Sequence, residues 1–322
     1  MKAYVYGAGG AAITELPKPT PSGTQVLVHV HACGLNRADL GMTKGHVHGS
    51  AGGVGTALGM EWAGEVAELG PQAKGVKVGD KVMGSGAGAF AEYTLADHGR
   101  LFRTPSNMNF EEAATLPVAL ATMHNAVVTN GALQPGQSVL IQGASSGVGL
   151  MALQIAKLKG AKLVVGSSTD ATRRSRLHEF GADLAVDSSD PGWVDQVLKA
   201  TGGEGVDLIV DQVSGKVASQ NLAATRIKGR IVNVGRLGGT HADFNFDLHA
   251  ARRIHYVGVT FRTRSIEEIR EIFDEVRKDI WPAVESRKLQ LPIDKVFAFK
   301  DIGQAFEHME ANRHLGKIVV TL

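Results

Sequence analysis

The spacing of apolar residues changes twice along the chain. Over the first third, short apolar runs end at Gly or Asp: "QVLVHVHACGL", "EWAGEVAELG", "VKVGDKVMG" and "AFAEYTLAD". In the first run Val26, Val28 and Val30 alternate with Leu27, His29 and His31, the period of a strand. Short strands stopped by glycine predict a small barrel or sandwich, interrupted by two or three short helices, one of them after Asn36. The middle third carries longer Val/Ile/Leu runs: "SVLIQG", "AKLVVGSS", "DLAVD", "VDLIVDQ", "GRIVNVG" and "HYVGVTF". Runs without alternation suit strands buried on both faces. Helix-like segments separate most of them. Val148, Ala152, Ile155 and Ala156 share one face; Leu177 and Phe180 precede a Gly181 cap; Val194, Val197 and Leu198 precede Gly202. Strands alternating with helices predict right-handed βαβ units and a parallel sheet.

The last third opens on a helix start. Ser265 and Glu268 make an S-x-x-E capping box before Ile269, Phe273 and Val276. A second helix is expected from about Asp301, with Ile302, Ala305, Phe306 and Met309 inward, and "KIVVTL" closes the chain as a strand. The βαβ series is thus inserted into a β domain whose C-terminal remnant packs back onto the barrel. The expected divisions are 1–121, 122–260 and 261–322.

Composition narrows the class. The chain has 322 residues, 43% hydrophobic and 20% charged, with 40 Gly but only 10 Pro, which suits two packed domains with many turns rather than disorder. A formal charge of +2 gives no bulk attraction to nucleic acid or membrane. The single Cys33 excludes an intrachain disulfide and a multi-cysteine zinc site. The opening "MKAYVYGAGG" lacks a signal peptide's apolar core, and no apolar stretch approaches a membrane span, so a cytoplasmic location is expected.

The chemistry concentrates in "VLIQGASSGVGLMALQIAK", where a strand, a small-residue turn and a helix follow one another. Such a turn holds a pyrophosphate on helix N-terminal N–H groups, and it also serves as a tight packing turn. Ala144 and Ser146 stand at the first two glycine positions of G-x-G-x-x-G and Gly149 at the third, while Ser145, Gly147 and Val148 complete the turn. The second strand selects the dinucleotide. No acid stands at Gly166, Ser167 or Ser168 to bind a ribose 2′-OH. Hydroxyls at Ser167, Ser168 and Thr169 and the guanidinium groups of Arg173 and Arg174 favour a 2′-phosphate, hence NADPH over NADH; a solvated helix face is the other reading of the arginines.

Four segments in this order resemble the medium-chain dehydrogenase/reductase superfamily, in its zinc-independent quinone oxidoreductase-like branch: "ACGLNRADL" (32–40), "GMEWAGEV" (59–66), "LPVALATMHNAV" (116–127) and "GASSGVG" (143–149). The resemblance implies an α/β fold, a GroES-like β-barrel catalytic domain with an inserted Rossmann domain. Zinc-dependent members carry Cys where this chain has Asn36 and His where it has Met60, and a third ligand would fall near Val118. An amide, a thioether and an isopropyl group do not hold Zn²⁺, so no metal is expected. His46 and His48 in "KGHVHGS" read as loop residues, and "GSAGGVGTALG" (49–59) as a mobile loop bordering the cleft.

By resemblance, Asn36 and Thr122 lie beside nicotinamide and substrate and position without ionising; a Thr122 hydroxyl bonded to its own helix backbone is the other reading. Gly235, Arg236 and Phe261 are implied to line the nicotinamide half of the cleft, and Asn312 to contact cofactor. The chain departs from the family at Lys44–His48 and at Asp187-Ser188, where relatives often carry tyrosines. Arg262 and Arg264 suit an acidic substrate or a solvated surface. The expected activity is zinc-independent hydride transfer from NADPH to a quinone or α,β-unsaturated carbonyl compound. An acyl-thioester ene reductase, and a weakly catalytic NADPH-binding protein with a structural or nucleic-acid-binding role, are the alternatives. A small-molecule substrate and a homodimer joined through "HYVGVTF" are the expected partners.

Overall fold

A computed structural model describes all 322 residues. The chain forms two compact units, Met1–Ala121 with Phe261–Leu322, and Thr122–Thr260.

The first segment opens with a hairpin, β1 (Lys2–Gly7) and β2 (Gly10–Glu15). Then come β3 (Gln25–Gly34), the short helix α1 (Asp39–Met42), a two-residue pair β4 (Val47–His48) and β5 (Ala51–Gly52), β6 (Glu61–Leu69), β7 (Lys81–Ser85), β8 (Tyr93–Asp97), β9 (Leu101–Arg103) and α2 (Phe110–Ala113). Helix α3 (Pro117–His124) follows and continues into a π-helical turn at Asn125–Thr129. The second unit contains β10 (Ser138–Gln142), α4 (Gly147–Leu158), β11 (Leu163–Ser167), α5 (Ala171–Ser175), β12 (Leu184–Val186), α6 (Trp193–Ala200), β13 (Val206–Asp211), α7 (Ala218–Ala224), β14 (Thr225–Asn233), α8 (Phe246–Arg252) and β15 (His255–Gly258). The return segment adds α9 (Ile266–Asp279), α10 (Trp281–Glu285), β16 (Ile293–Ala298), α11 (Ile302–Glu310) and β17 (Lys317–Thr321).

In the first unit β3 is the hub. It pairs antiparallel with β6, β8 and β17, and the sheet runs β16-β17-β3-β6-β7-β9. The last strand of the chain is therefore laid directly on an early one. The alternation at Val26–His31 is only half the story: Leu27 is as buried as Val26 and Val28, because both faces of β3 are covered. Tyr4, Trp62 and Phe90 share one core with Phe299, Ile302, Phe306 and Met309 of the return segment. Phe306 stacks on Tyr4 at 5.6 Å and meets Phe90 edge-on at 5.7 Å. Each large side chain buried there contributes roughly 1.5–3 kcal/mol, which is what draws the return segment into this unit. The predicted α9 start is present, with Ser265 and Glu268 forming a reciprocal capping box.

The glycine-rich stretch 49–59, expected as a mobile loop, is instead tied down. Gly55 N–H donates to Tyr6 O and Leu58 N–H to Tyr4 O, and Leu58 is fully buried. A Cβ on Gly59 would stand 2.7 Å from the Phe90 ring, so glycine is needed there.

In the second unit all pairings are parallel, in the order β12-β11-β10-β13-β14-β15. The order doubles back at β10, and a switch point of that kind leaves a crevice at the carboxyl ends of the central strands. Helix α4 is buried on nearly every side, Leu150, Met151 and Leu153 as well as the predicted Ala152, Ile155 and Ala156; Val148 is only half-buried. The helix predicted around Leu177 is broken: α5 ends at Ser175, and a 3₁₀ turn, Leu177–Phe180, ends at left-handed Gly181.

Candidate active site

The turn after β10 is built to expose backbone donors. Ser146 caps α4, its Oγ accepting the Gly149 N–H at 3.1 Å and donating to Gln212 Oε1, also at 3.1 Å. Gly147 and Val148 occupy the first helical turn, where no carbonyl four residues earlier can accept their N–H groups. Gly149 is fixed by sterics: an added Cβ would lie 2.5 Å from Gly143 O and 2.7 Å from Ala144 Cα. Ala144 is buried, and its N–H is spent on Ser167 O at 2.8 Å, so it shapes the turn rather than offering a donor.

A buried polar network stands behind this turn. Gln142 Nε2 donates to Asn221 Oδ1 at 2.8 Å, Gln212 Nε2 to Gln142 O at 3.2 Å, and Asn221 Nδ2 to Asp211 at 3.0 Å. Ser167 belongs to it. Its hydroxyl donates to Gln142 Oε1 at 2.6 Å and accepts from Gly143 N–H at 3.0 Å, and the residue is fully buried. This corrects the placement of Ser167 among phosphate donors, since a side chain at the end of a doubly covered strand points inward. The donors that remain at this edge are Ser168, bonded to Ser145 Oγ at 3.0 Å, exposed Thr169, and Arg173. Asp170 caps α5 by accepting the Arg173 N–H at 2.8 Å, and its carboxylate lies 3.6 Å from the Arg173 guanidinium. Arg174 is turned away from any ligand role. It donates to Ser168 O and to Asp187, and the departure from the family at Asp187 thereby has a partner.

Across the strand ends, Gly235 is required by a Gln212 carbonyl 2.6 Å from where its Cβ would be. Arg236 is exposed and donates to Val234 O at 3.3 Å. Nearby Ser214 holds a left-handed φ of 56°, pinned by its N–H on Asp211 and its hydroxyl on Gly235 O.

In the first unit, Asn36 sits at the mouth of a buried charged cluster. Its Nδ2 donates to Glu61 Oε1 at 2.8 Å, its Oδ1 accepts from Lys317 Nζ at 3.0 Å, and its N–H donates to Asp39 Oδ2 at 2.7 Å. Lys317 and Glu61 form an ion pair between two side chains almost wholly out of solvent. The second Glu61 oxygen accepts the Val118 N–H at 3.0 Å. Burial raises the carboxyl of Asp39 to about 7, and it pushes Glu61 up as well, with Lys317 pulling both back. The sequence reading found Asn36 but missed Glu61, Lys317 and Asp39. The available signal was charge inside otherwise apolar strands, at the first residues of "EWAGEV" and "KIVVTL".

This donor set does not fit zinc. Two of its three positions are Met60 and Val118, and the third is an amide whose oxygen already faces an ammonium. No three His, Cys, Asp or Glu side chains gather as a metal group anywhere in the chain. Thr122 is half-buried on α3 and belongs to the second unit, while Asn36 belongs to the first. Phe261 is half-buried, with the Arg264 guanidinium 6.0 Å from its ring centre. Asn312 has a structural occupation: it is left-handed after α11 (φ 54°) and accepts from Arg37 at 2.5 Å.

Comparison with known proteins fits these features. Residues 22–106 match the family model of the alcohol dehydrogenase GroES-like domain, and 147–278 that of zinc-binding dehydrogenases. Quinone oxidoreductase-like protein 2 of Mus musculus is 30% identical over 94% of this chain and 87% of its own length. A phenolphthiocerol/phthiocerol polyketide synthase of Mycobacterium tuberculosis is 30% identical over 96% of this chain, which spans 14% of that protein's length. Among solved structures, an NAD-dependent alcohol dehydrogenase superposes with a TM-score of 0.84 at 28% identity, covering 100% of both chains. The CurK enoyl reductase does so at 0.86 and 25%, covering 99% of both. A mycobacterial protein complexed with NADPH shares the fold at 0.89 and 22%, covering 100% of both. The chain belongs to the medium-chain dehydrogenase/reductase superfamily, a family of oxidoreductases with a GroES-like domain and a Rossmann-type parallel-sheet domain. Its relatives in that class include quinone oxidoreductase-like proteins and segments of polyketide synthases. No helix is long and apolar enough to cross a membrane.

Proposed function

We propose that the protein is an NADPH-dependent reductase that delivers hydride to a quinone or an α,β-unsaturated carbonyl compound without a metal. The observation that carries this reading is the turn at Ser145–Gly149, whose helix-start N–H groups stand before a strand, β11, with no acid at Gly166, Ser167 or Ser168; Ser168 and Thr169 follow it, and then α5, where Arg173 lies beside its cap Asp170. The first-turn N–H groups of Gly147 and Val148 would hold the pyrophosphate, and Ser168, Thr169 and Arg173 the 2′-phosphate. Bound NADPH supplies the hydride. The chain supplies orientation and a hydrogen-bond donor, the Asn36 amide, to the substrate oxygen on which negative charge grows. With that hydride supplied to the conjugated system, the Asn36 amide would hold the oxygen as its charge grows, and a proton from water would complete the reduced product. Thr122 is proposed to orient substrate.

A second reading, reduction of an unsaturated acyl thioester, is favoured by the polyketide synthase relatives and the enoyl reductase neighbour. The test is loss of NADPH absorbance with quinones, enones and unsaturated thioesters offered separately. Turnover of a thioester alone selects the second reading; tight NADPH binding with no acceptor reduced removes both. Arg173→Glu is expected to weaken NADPH binding more than about tenfold and NADH binding little. Equal losses would remove the phosphate role of Arg173. We also propose a homodimer through the edge strand β15, where Phe246 is 75% and Tyr256 37% exposed beside an open sheet edge. Sedimentation at the monomer mass would rule it out.

A further inference from the structure

We propose that Lys317 is a positioning residue for the reduction: held by Glu61, its ammonium fixes the Asn36 amide in one orientation and leaves a single N–H for the substrate oxygen. The proposal rests on the hydride-transfer reading above. Asn36 is half-buried, whereas Glu61 and Asp39 are fully buried and Lys317 is 4% exposed, so the amide is the cluster's outlet. Its oxygen faces the Lys317 ammonium and its nitrogen the Glu61 carboxylate. Turning the amide over would set NH₂ against ammonium and carbonyl against carboxylate, so both charges oppose the flip. Glu61 is itself held by the Val118 N–H, and the Asn36 backbone by Asp39. One amide hydrogen goes to Glu61. The other lies toward Gly34 O at 3.5 Å, beyond a well-formed bond, and is the donor left over.

The charges explain why a lysine is needed. Two carboxylates and one ammonium share a dry site that also faces the Cys33 thiol. Asp39 Oδ1 has no partner, and burial drives this carboxyl toward its neutral form. With Asp39 protonated, Lys317 and Glu61 balance. With Asp39 ionised, the extra negative charge draws the ammonium away from the amide oxygen. The orientation of Asn36 is therefore tied to the proton on Asp39.

The test compares the whole enzyme, loaded with NADPH, with Lys317→Gln, Lys317→Arg and the double variant Glu61→Gln/Lys317→Gln, which keeps hydrogen-bonding shape without charge. Lys317→Gln is expected to lower kcat about 10- to 100-fold and to leave the NADPH Kd within about twofold. It should also abolish the Asp39-linked pH limb of kcat, because no ammonium is left for ionised Asp39 to draw away from the amide oxygen. Lys317→Arg should recover most of kcat. Wild-type kcat with the pH limb retained in Lys317→Gln overturns the proposal, and the double variant decides in the same terms if the single one does not fold. If the wild type reduces no acceptor, the functional reading fails but the geometry stays testable. The Asn36 side-chain amide resonances, assigned by their loss in Asn36→Leu, should shift with pH in the wild type and stop doing so in Asp39→Asn. Resonances indifferent to both Asp39 and Lys317 overturn the positioning role.

Discussion

The two units each bury a polar cluster beside the place where chemistry is proposed, and the clusters are built on opposite principles. Behind the turn at α4 the partners are chiefly neutral: Gln142, Ser146, Ser167, Gln212 and Asn221, closing on Asp211, whose oxygens accept three N–H groups. Around Asn36 the partners are ions, Lys317 and Glu61, with Asp39 as an acid whose second oxygen has no partner. A saturated neutral network costs little to bury and fixes geometry. A buried ion pair costs several kcal/mol of desolvation per ion and repays it only while both partners stay. The difference teaches that the Rossmann-type unit is organised for shape, and the other unit for charge at one amide.

The comparison is broken most forcefully by removing one ion. Glu61→Ala leaves the Lys317 ammonium unpaired in the core and is expected to cost about 3–5 kcal/mol. Urea unfolding measures it, and a loss below about 1 kcal/mol would mean water reaches the pair. Next comes pH. The folded-state pKa of Asp39 is raised from 3.8 to about 7, so its contribution is full at low pH and is lost as pH rises through 7. Wild-type stability should therefore fall by up to about 4 kcal/mol on this account between roughly pH 4 and 8, and Asp39→Asn should flatten the fall. Parallel stability curves for the two proteins would contradict it.

On the neutral side the effects are smaller and steric. Gly149→Ala drives a methyl against Gly143 O and should cost about 1–3 kcal/mol while weakening dinucleotide binding. Unchanged affinity in that variant would detach the turn from the cofactor. Ser146→Ala removes one cap and should cost about 1 kcal/mol with no pH dependence from 5 to 9, roughly. A pH-dependent loss there would erase the contrast between the clusters.

Much of this was legible along the chain. The α4 turn, the capping box at Ser265 and the inward face of α11 follow from local spacing, because caps and amphipathic periods are decided within one or two turns. What escaped was set by distant partners. Ser167 looked like a phosphate donor until its burial beside Gln142 made it a strut. The glycines of 49–59 looked mobile, yet β1 ties them down.

The sequence by itself determined the class of protein: the alternation of strand and helix, the helix-start turn without an acid on the following strand, and an amide where a metal ligand would stand. Only the tertiary structure decided what surrounds that amide. Lys317 and Glu61 are 256 residues apart in the chain and meet only because β17 is laid on β3, beside β6. No local period encodes that meeting, since a buried charge is tolerated only where the fold brings its counter-charge to it.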